Sequence, residues 1–170
     1  TDFPDKETVT MLLPHFKELV KQVEDKALGL AAPQTGLSYS MIWIRDFGYM
    51  INPKIVSTSE EVIPSYESCL SIPHKTFSVE RKKKITVLYK DENFKLKKKV
   101  FRDRWAIIAQ HEIDHLSGLT LQETGIEVIL TAGPPAEAWH SPKWAYEDTM
   151  KVYVETDRDY YGDGAKFVEI

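Results

Sequence analysis

The amino-acid sequence predicts an α+β fold in which mixed or antiparallel strands surround a central helix. Three observations favour it. Apolar residues repeat at helical spacing over residues 8–24. Two β-rich runs, residues 85–89 and 94–101, flank a polar turn and predict a hairpin. A second helix follows that hairpin, and we expect Asp103 to cap its N-terminus and Gly118 to end it.

The first helix is predicted from apolar positions that share one face. They are Val9, Leu12, Leu13, Phe16, Leu19, Val20 and Val23. Pro14 interrupts this pattern. Because proline lacks a backbone N–H and suits the first helical turn, we expect the helix to begin near Pro14. Between this helix and the hairpin, residues 39–44 alternate enough to predict a strand.

Length and composition are those of a globular protein. With 170 residues, 42% of them hydrophobic and 28% charged, we expect a single domain over residues 1–170 with a core at about 8–125. No apolar run approaches the roughly 20 residues that span a membrane, and the start shows no signal-peptide pattern. The net charge of −4 argues against a dedicated nucleic-acid binder. A single cysteine excludes an internal disulfide and fits a reducing compartment.

The second helix contains an H-E-x-x-H pattern, HEIDH at residues 111–115. One helical turn separates His111 from His115, so both imidazoles project from the same face. A chance match on a solvent-facing helix is the alternative, but the apolar residues 105–109 lead directly into the pattern and indicate a buried helix. Buried imidazoles and carboxylates without partners are costly, and a bound metal ion would satisfy the nitrogens.

The only cysteine, Cys69, lies upstream in the run ESCLS at residues 67–71. A lone cysteine is commonly a small buried hydrophobe. Here small polar residues surround it and Pro73 follows, which favours an exposed extended segment or turn over a core strand. One thiolate and two imidazoles would give three protein ligands and leave a fourth position open. With Glu112 beside the first histidine, this set is typical of metal-assisted hydrolysis.

Three segments in this order resemble the motifs of the peptide deformylase family. They are LGLAAPQTG at residues 28–36, ESCLS at 67–71 and HEIDH at 111–115. The family's patterns are G-φ-G-φ-A-A-x-Q, E-G-C-x-S and H-E-x-x-H, where φ is apolar. Ala27 and Ser68 stand where the family has glycine, and since both are small we expect them to be tolerated. The resemblance covers most of the first three quarters of the chain and implies the family's α+β fold.

The resemblance implies an enzyme that removes the N-formyl group from the methionine that starts newly made polypeptides. Three residues would hold one divalent metal ion: Cys69, His111 and His115. Glu112 would act as general base and then as general acid, taking a proton from the attacking water and passing it to the leaving amine. The Gln34 side-chain amide and the Leu70 backbone N–H would donate hydrogen bonds to the formyl oxyanion.

The resemblance also assigns four residues to substrate binding: Leu28, Gly29, Ile107 and Glu67. Leu28 and Ile107, with His111, would line the apolar pocket for the methionine side chain. Gly29 would let an extended peptide approach the backbone closely.

Two further residues would support the site. Arg81 is expected to pair with Glu67, which keeps that carboxylate ionised. Asp114 would hydrogen-bond nearby groups or orient a ligand.

The metal and the partners are implied in the same way. By resemblance the native ion would be Fe²⁺, with Zn²⁺, Ni²⁺ or Co²⁺ able to substitute. A cysteine ligand favours softer metals than a carboxylate would, but does not choose among these ions. The expected partners are N-formylmethionyl peptides and nascent chains, with no membrane and no DNA. The expected location is the cytoplasm of a bacterial or phage-infected cell, or the stroma or matrix of a eukaryotic organelle.

Lysine is concentrated around the predicted hairpin. The residues are Lys82, Lys83, Lys84, Lys95, Lys97, Lys98 and Lys99. This distribution predicts a solvated sheet face that also protects an edge. A weak contact with ribosomal RNA is the alternative.

The segment over about residues 133–170 follows a Gly-Pro-Pro break and is acidic and rich in aromatic residues. Bacterial members of the family often end instead in a basic helix. We expect the aromatic side chains to pack this segment on the body of the protein.

Two other functions remain open at this point. A zinc peptidase of the H-E-x-x-H class would take its third ligand from downstream: Glu127, Glu137 or His140. Such an enzyme would not need Cys69. A deformylase-like fold without turnover would serve as a binding module, but the presence of Glu112 and Gln34 argues against this.

Overall fold

The computed structural model describes residues 1–128 and the strand at residues 166–169. The helices are α1 (Lys6–Lys21), α2 (Asp103–Leu116) and α3 (Leu121–Thr124). The strands are β1 (Gly29–Ala31), β2 (Met41–Ile44), β3 (Gly48–Thr58), β4 (Val62–Cys69), β5 (Ile72–Lys82), β6 (Lys84–Lys90), β7 (Leu96–Arg102), β8 (Ile126–Val128) and β9 (Lys166–Glu169). A short 3₁₀ helix, Ala32–Thr35, follows β1.

The strands form two sheets around α2. The first sheet has the order β1-β2-β3-β6-β7, and its pairs are all antiparallel. The second has the order β8-β5-β4-β9, where β9 pairs with β4 in parallel and the other pairs are antiparallel. Helix α2 contacts strands of both sheets. The α+β prediction, with mixed strands around a central helix, is confirmed.

Helix α1 begins eight residues before Pro14, so the predicted start near Pro14 is wrong. Asp5 caps the helix, and its side chain accepts a hydrogen bond from the Thr8 backbone N–H at 2.8 Å. Pro14 lies inside the helix on its exposed side. The apolar face stabilises the helix across the proline, because its members are buried against the first sheet and the 3₁₀ helix: Val9, Leu13, Phe16 and Val20.

Helix α2 joins the core to the functional motif. Its apolar residues pack against the first sheet and are fully buried: Ala106, Ile107, Ile108 and Ala109. The N-cap is Arg102 rather than Asp103, and Asp103 is the first helical residue, with a φ of +50°. The helix ends before Gly118 as predicted, and Gly118 adopts the left-handed φ of +75° that favours glycine.

The other predicted elements are present with small changes at their ends. The strand predicted at residues 39–44 is β2, and the predicted hairpin is β6–β7, in which Leu88 pairs with Lys98. Cys69 corrects the sequence prediction: it is the last residue of β4 and only 5% exposed, because the next two residues make the turn to β5.

The C-terminal segment predicted to pack on the body lies mostly outside the described residues, apart from β9. No helix in the described part of the chain is long and apolar enough to cross a membrane.

Candidate metal and active site

A cysteine and two histidines meet where β4 ends beside α2. The Cys69 Sγ lies 3.3 Å from the His115 Nε2, which lies 3.1 Å from the His111 Nε2. All three ligand atoms lie within 4.8 Å of one another, and all three residues are buried. The i,i+4 spacing places both imidazoles on one face of α2. The structure therefore brings together the three predicted metal ligands.

The chemistry of this cluster suits a divalent transition metal. Burial raises the pKa of the Cys69 thiol, but the hydrogen bonds and charges of His111 and His115 outweigh it and lower the pKa to about 5. The thiolate is the form that binds metals. Two imidazole nitrogens and one thiolate are ligands that Zn²⁺ and Fe²⁺ accept, and three protein ligands leave a coordination position open.

Glu112 follows His111 in α2, and its charge interacts with those of Cys69 and both histidines. Its side chain is 1% exposed, and its Oε2 is one of two buried side-chain oxygens in the described residues without a hydrogen-bond partner. Burial raises the Glu112 pKa to about 7, even though both histidines act to lower it. A buried acceptor without a partner is costly in a folded protein. The free oxygen therefore fits a site built for a water or substrate group.

Gly29 gives Glu112 the space it occupies. A Cβ at position 29 would lie 2.7 Å from the Glu112 Cγ and 2.8 Å from its Cδ, closer than real Cβ contacts. Gly29 pairs with Ile44 in the first sheet, so its backbone cannot simply move away. Only glycine allows strand β1 to pass this close to the carboxylate.

A second carboxylate, Glu67, is buried against His111. The Glu67 Oε2 accepts from the His111 Nδ1 at 2.9 Å, and Arg81 donates to both Glu67 oxygens at 2.8 and 2.9 Å. Ser65 adds a hydroxyl bond of 2.6 Å, and Arg81 also pairs with Asp114. Burial raises the Glu67 pKa, but the Arg81 and His111 hydrogen bonds outweigh it and lower the pKa to about 2.

This network bears on the two roles predicted for Glu67, which are pairing with Arg81 and substrate binding. The expected pair with Arg81 is present. Both Glu67 oxygens accept from protein groups, and its assignment to substrate binding stays a prediction. Glu67 orients His111 through its Nδ1, the contact that commonly fixes a metal-binding histidine.

Gln34 faces the cluster from the 3₁₀ helix. Its Oε1 accepts from the Ala31 backbone N–H at 2.8 Å. Its Nε2 donates to the Ser71 Oγ at 3.0 Å and to the Cys69 Sγ at 3.4 Å. The amide thus lies beside the thiol of the cluster, and Leu70 lies in the turn that follows Cys69.

The two apolar positions assigned to the methionine pocket belong to the same hydrophobic core. Ile107 is fully buried one helical turn before His111, so both side chains point from the same face of α2. Leu28 is half-buried and packs against the same core cluster as Ile107.

Three polar residues at the site were not predicted. Ser65 bonds Glu67, and Ser71 bonds Gln34. Gln110 holds α2 to the second sheet, accepting from the Lys82 N–H at 3.0 Å and donating to the Lys82 carbonyl at 2.8 Å. Ser65 lies two residues before the ESCLS run and Ser71 is the last residue of that run, but the sequence does not indicate which group either serine would bond.

The ligand set of a zinc peptidase is not found among the described residues. Glu127 ion-pairs with Lys75 at 2.9 Å on the surface, away from the metal cluster. Glu137 and His140 lie outside the described part of the chain. Cys69 instead completes the cluster, as the deformylase resemblance implied.

Comparison with known proteins agrees with this geometry. The family model for polypeptide deformylase matches residues 2–125. The chain is 36% identical to the peptide deformylase of Desulfotalea psychrophila over 138 residues, which cover 69% of this chain and 80% of that protein. It is 40% identical to the Synechocystis peptide deformylase over 100 residues, 54% of each protein. A Met-Ala-Ser-bound crystal structure of peptide deformylase from Acinetobacter baumannii matches with a TM-score of 0.56 and 31% identity, covering 60% of this chain and 72% of that one.

Proposed function

This chain belongs to the peptide deformylase family and is a deformylase, and we propose that it removes the N-formyl group from the N-terminal formyl-methionine of newly made polypeptides. One observation carries the proposal. Three buried metal-ligating side chains lie beside a buried carboxylate whose Oε2 has no protein partner. A structural metal site has four protein ligands and does not require an unbonded carboxylate oxygen beside them.

Cys69, His111 and His115 would hold one divalent metal ion, and Fe²⁺ is the ion that we propose as native. When bound, the metal supplies Lewis-acid chemistry and lowers the pKa of the attacking water toward neutrality. Glu67 holds the Nδ1 side of His111 at 2.9 Å, which leaves the Nε2 side facing the cluster. The orientation of this ligand is therefore set before any metal binds.

Glu112 would carry the proton in both halves of the reaction. Its free Oε2 takes a proton from the attacking water, and the same oxygen later gives it to the leaving amine. Burial raises the Glu112 pKa to about 7, which suits a group that must both accept and release a proton near neutral pH. Because Gly29 has no side chain, the Glu112 carboxyl group has room in its place against strand β1.

The developing negative charge on the formyl oxygen needs hydrogen-bond donors. The Gln34 Nε2 lies 3.4 Å from the Cys69 Sγ, so it can reach a substrate group beside that ligand. We assign the second donation to the Leu70 backbone N–H, since Leu70 directly follows Cys69. Loss of one such donor costs roughly 100- to 1000-fold in rate.

The peptide would approach along β1. Among the described strands, β1 ends the first sheet, so one of its edges is open to an extended chain, whereas β4 is paired on both sides. An edge strand with a glycine beside the reactive carboxylate favours main-chain pairing with a peptide. Leu28 and Ile107 would then face the methionine side chain from the adjacent core.

Two finer points of biology belong to the proposal. Exposed lysines in and just before β7, Lys95, Lys97 and Lys98, would give a weak contact with ribosomal RNA. Action on nascent chains places the enzyme where those chains are made, in a cytoplasm or in the stroma or matrix of an organelle.

The test is formate release from formyl-Met-Ala-Ser by protein loaded anaerobically with Fe²⁺ or Ni²⁺. Turnover should fall by about 10²- to 10⁴-fold in Glu112→Ala while one metal per chain remains bound, because only the proton carrier is lost. Cys69→Ala should lose the metal as well as turnover, since one of three ligands is removed. A parent that binds metal but releases no formate would contradict deformylation, and metal retained in Cys69→Ala would favour a peptidase.

A further inference from the structure

The two-residue turn between β4 and β5 bonds to the 3₁₀ helix that follows β1. Cys69 pairs with Ile72, so Leu70 and Ser71 are fixed at the tip of a tight hairpin of the second sheet. Gln34 follows β1 of the first sheet. The Gln34–Ser71 hydrogen bond of 3.0 Å therefore joins this turn to the 3₁₀ helix that follows β1, beside Cys69.

The carboxamide of Gln34 is held at both ends. The Ala31 N–H donates to Oε1 at 2.8 Å, which fixes the oxygen end. At the other end Nε2 has two N–H groups, and its partners are the Ser71 hydroxyl at 3.0 Å and the more distant Cys69 sulfur at 3.4 Å. Glutamine has three side-chain torsions, so such contacts are needed to hold its amide in one place.

We propose that Ser71 is a positioning residue that holds the Gln34 amide beside the metal-ligand residue Cys69, where it can donate to the formyl oxygen. This inference rests on the proposed deformylation. The same turn also contains Leu70. It therefore positions both proposed oxyanion donors, the Leu70 backbone N–H and the Gln34 side-chain amide. Ser71 acts through Gln34 and need not touch the substrate.

The inference differs from two simpler roles for Ser71. If Ser71 only stabilised the turn, its substitution would lower the free energy of unfolding and leave kcat unchanged. A serine whose own hydroxyl donates to the substrate would matter whether or not Gln34 is present. These roles give different kinetics, which makes the assignment testable.

Steady-state deformylation of formyl-Met-Ala-Ser by the metal-loaded enzyme separates them. In Ser71→Ala, kcat should fall about fivefold at unchanged KM, because the lost bond acts on a donor used in the transition state. Ser71→Thr keeps a hydroxyl and should restore the rate. In a Gln34→Ala background, Ser71→Ala should cause no further loss. Ser78→Ala, in β5 of the same sheet, is the matched control and should leave kcat unchanged.

Three kinetic results would overturn the inference: an unchanged kcat in Ser71→Ala, a change confined to KM, or a loss of equal size in the Gln34→Ala background. A structural measurement decides it even if the parent shows no turnover. In ¹⁵N-edited NMR spectra of the Zn²⁺-loaded protein, the Gln34 side-chain amide protons should exchange with solvent several-fold faster in Ser71→Ala. Equal exchange rates would reject the role of Ser71, whereas an inactive parent alone would reject deformylation.

Discussion

Two buried glutamates of the site, Glu67 and Glu112, differ in their hydrogen bonds and in their pKa values. Glu67 is 0% exposed and its oxygens accept from Arg81, Ser65 and His111. Glu112 is 1% exposed, and its Oε2 has no protein partner. Burial alone raises the pKa of both groups. The hydrogen bonds lower that of Glu67 to about 2, whereas that of Glu112 rises to about 7.

The difference shows how the protein separates support from reactivity within a few ångströms. A carboxylate with every oxygen bonded is a fixed charge that orients its neighbours. A buried carboxylate with a free oxygen is costly in the fold and is tolerated where a reaction uses it. The Glu67–Arg81 pair therefore supports His111 on α2, whereas Glu112, which lies against Gly29, is available for the reaction.

The largest expected effect comes from removing Arg81, the ion-pair partner of Glu67. Arg81→Met leaves Glu67 buried without its main partner, and loss of one member of a buried ion pair costs about 3–5 kcal/mol. Lys83→Met is the matched control, because Lys83 pairs with Glu61 on the surface at 2.7 Å and such pairs contribute about 0–1 kcal/mol. Urea unfolding of both variants after metal chelation measures the contrast. Similar destabilisation of the two would mean that water screens the Glu67 pair.

The next largest effect concerns Glu112. In Gly29→Ala the new methyl group would meet the Glu112 stem at 2.7 Å, and because β1 is held by β2 the carboxylate must move. A displacement near 1 Å in an active site lowers kcat by about 100-fold. Gly48→Ala is the matched glycine, since its φ of +80° imposes strain but no atom lies within 4 Å of the new Cβ.

Formate release and unfolding together interpret this pair of glycine variants. In Gly29→Ala the main loss should be in kcat rather than in the free energy of unfolding. Gly48→Ala should lose stability by about 1 kcal/mol and keep its kcat. Full activity in Gly29→Ala would show that Glu112 does not depend on the close approach of β1.

Most of the architecture could be predicted from the sequence, because hydrophobic periodicity reports local structure. The prediction failed at Pro14, where tertiary packing of Phe16 and Val20 outweighs one missing backbone hydrogen bond. It also failed for Cys69, whose polar neighbours suggested exposure. In the structure the adjacent turn is exposed, while the thiol itself points inward to α2.

The site divides in the same way. The metal ligands and Glu112 follow from spacing on one helix and from the resemblance of three motifs. Gln110, Ser65 and Ser71 could not be predicted, because their partners are fixed only when distant strands and helices come together. No periodic pattern in the sequence records such a long-range hydrogen bond.

The smallest expected effect is the part of the pH dependence of stability that Glu112 contributes. His111, whose pKa is raised to about 10, and Cys69, whose pKa is lowered to about 5, also titrate near this range, and both are present in the parent and in the variant compared below. A carboxyl whose pKa is raised from 4.5 to about 7 in the fold keeps its proton when the unfolded chain has lost it. At this group the unfolded state then binds fewer protons, so the contribution of Glu112 to stability falls as the pH rises from about 4.5 to 7 and is level above that range. Glu67, with its pKa near 2, contributes a constant amount over the same range.

Unfolding of the chelator-treated parent and of Glu112→Gln, measured from pH 5 to pH 8, isolates this contribution. The substitution removes the titrating group and keeps its shape, so the variant should gain stability relative to the parent as the pH rises. The gain should reach about 1–3 kcal/mol, since one pKa unit corresponds to about 1.4 kcal/mol. Parallel pH profiles for the two proteins would mean that Glu112 is solvated, and the contrast between the two carboxylates would then rest on hydrogen bonding alone.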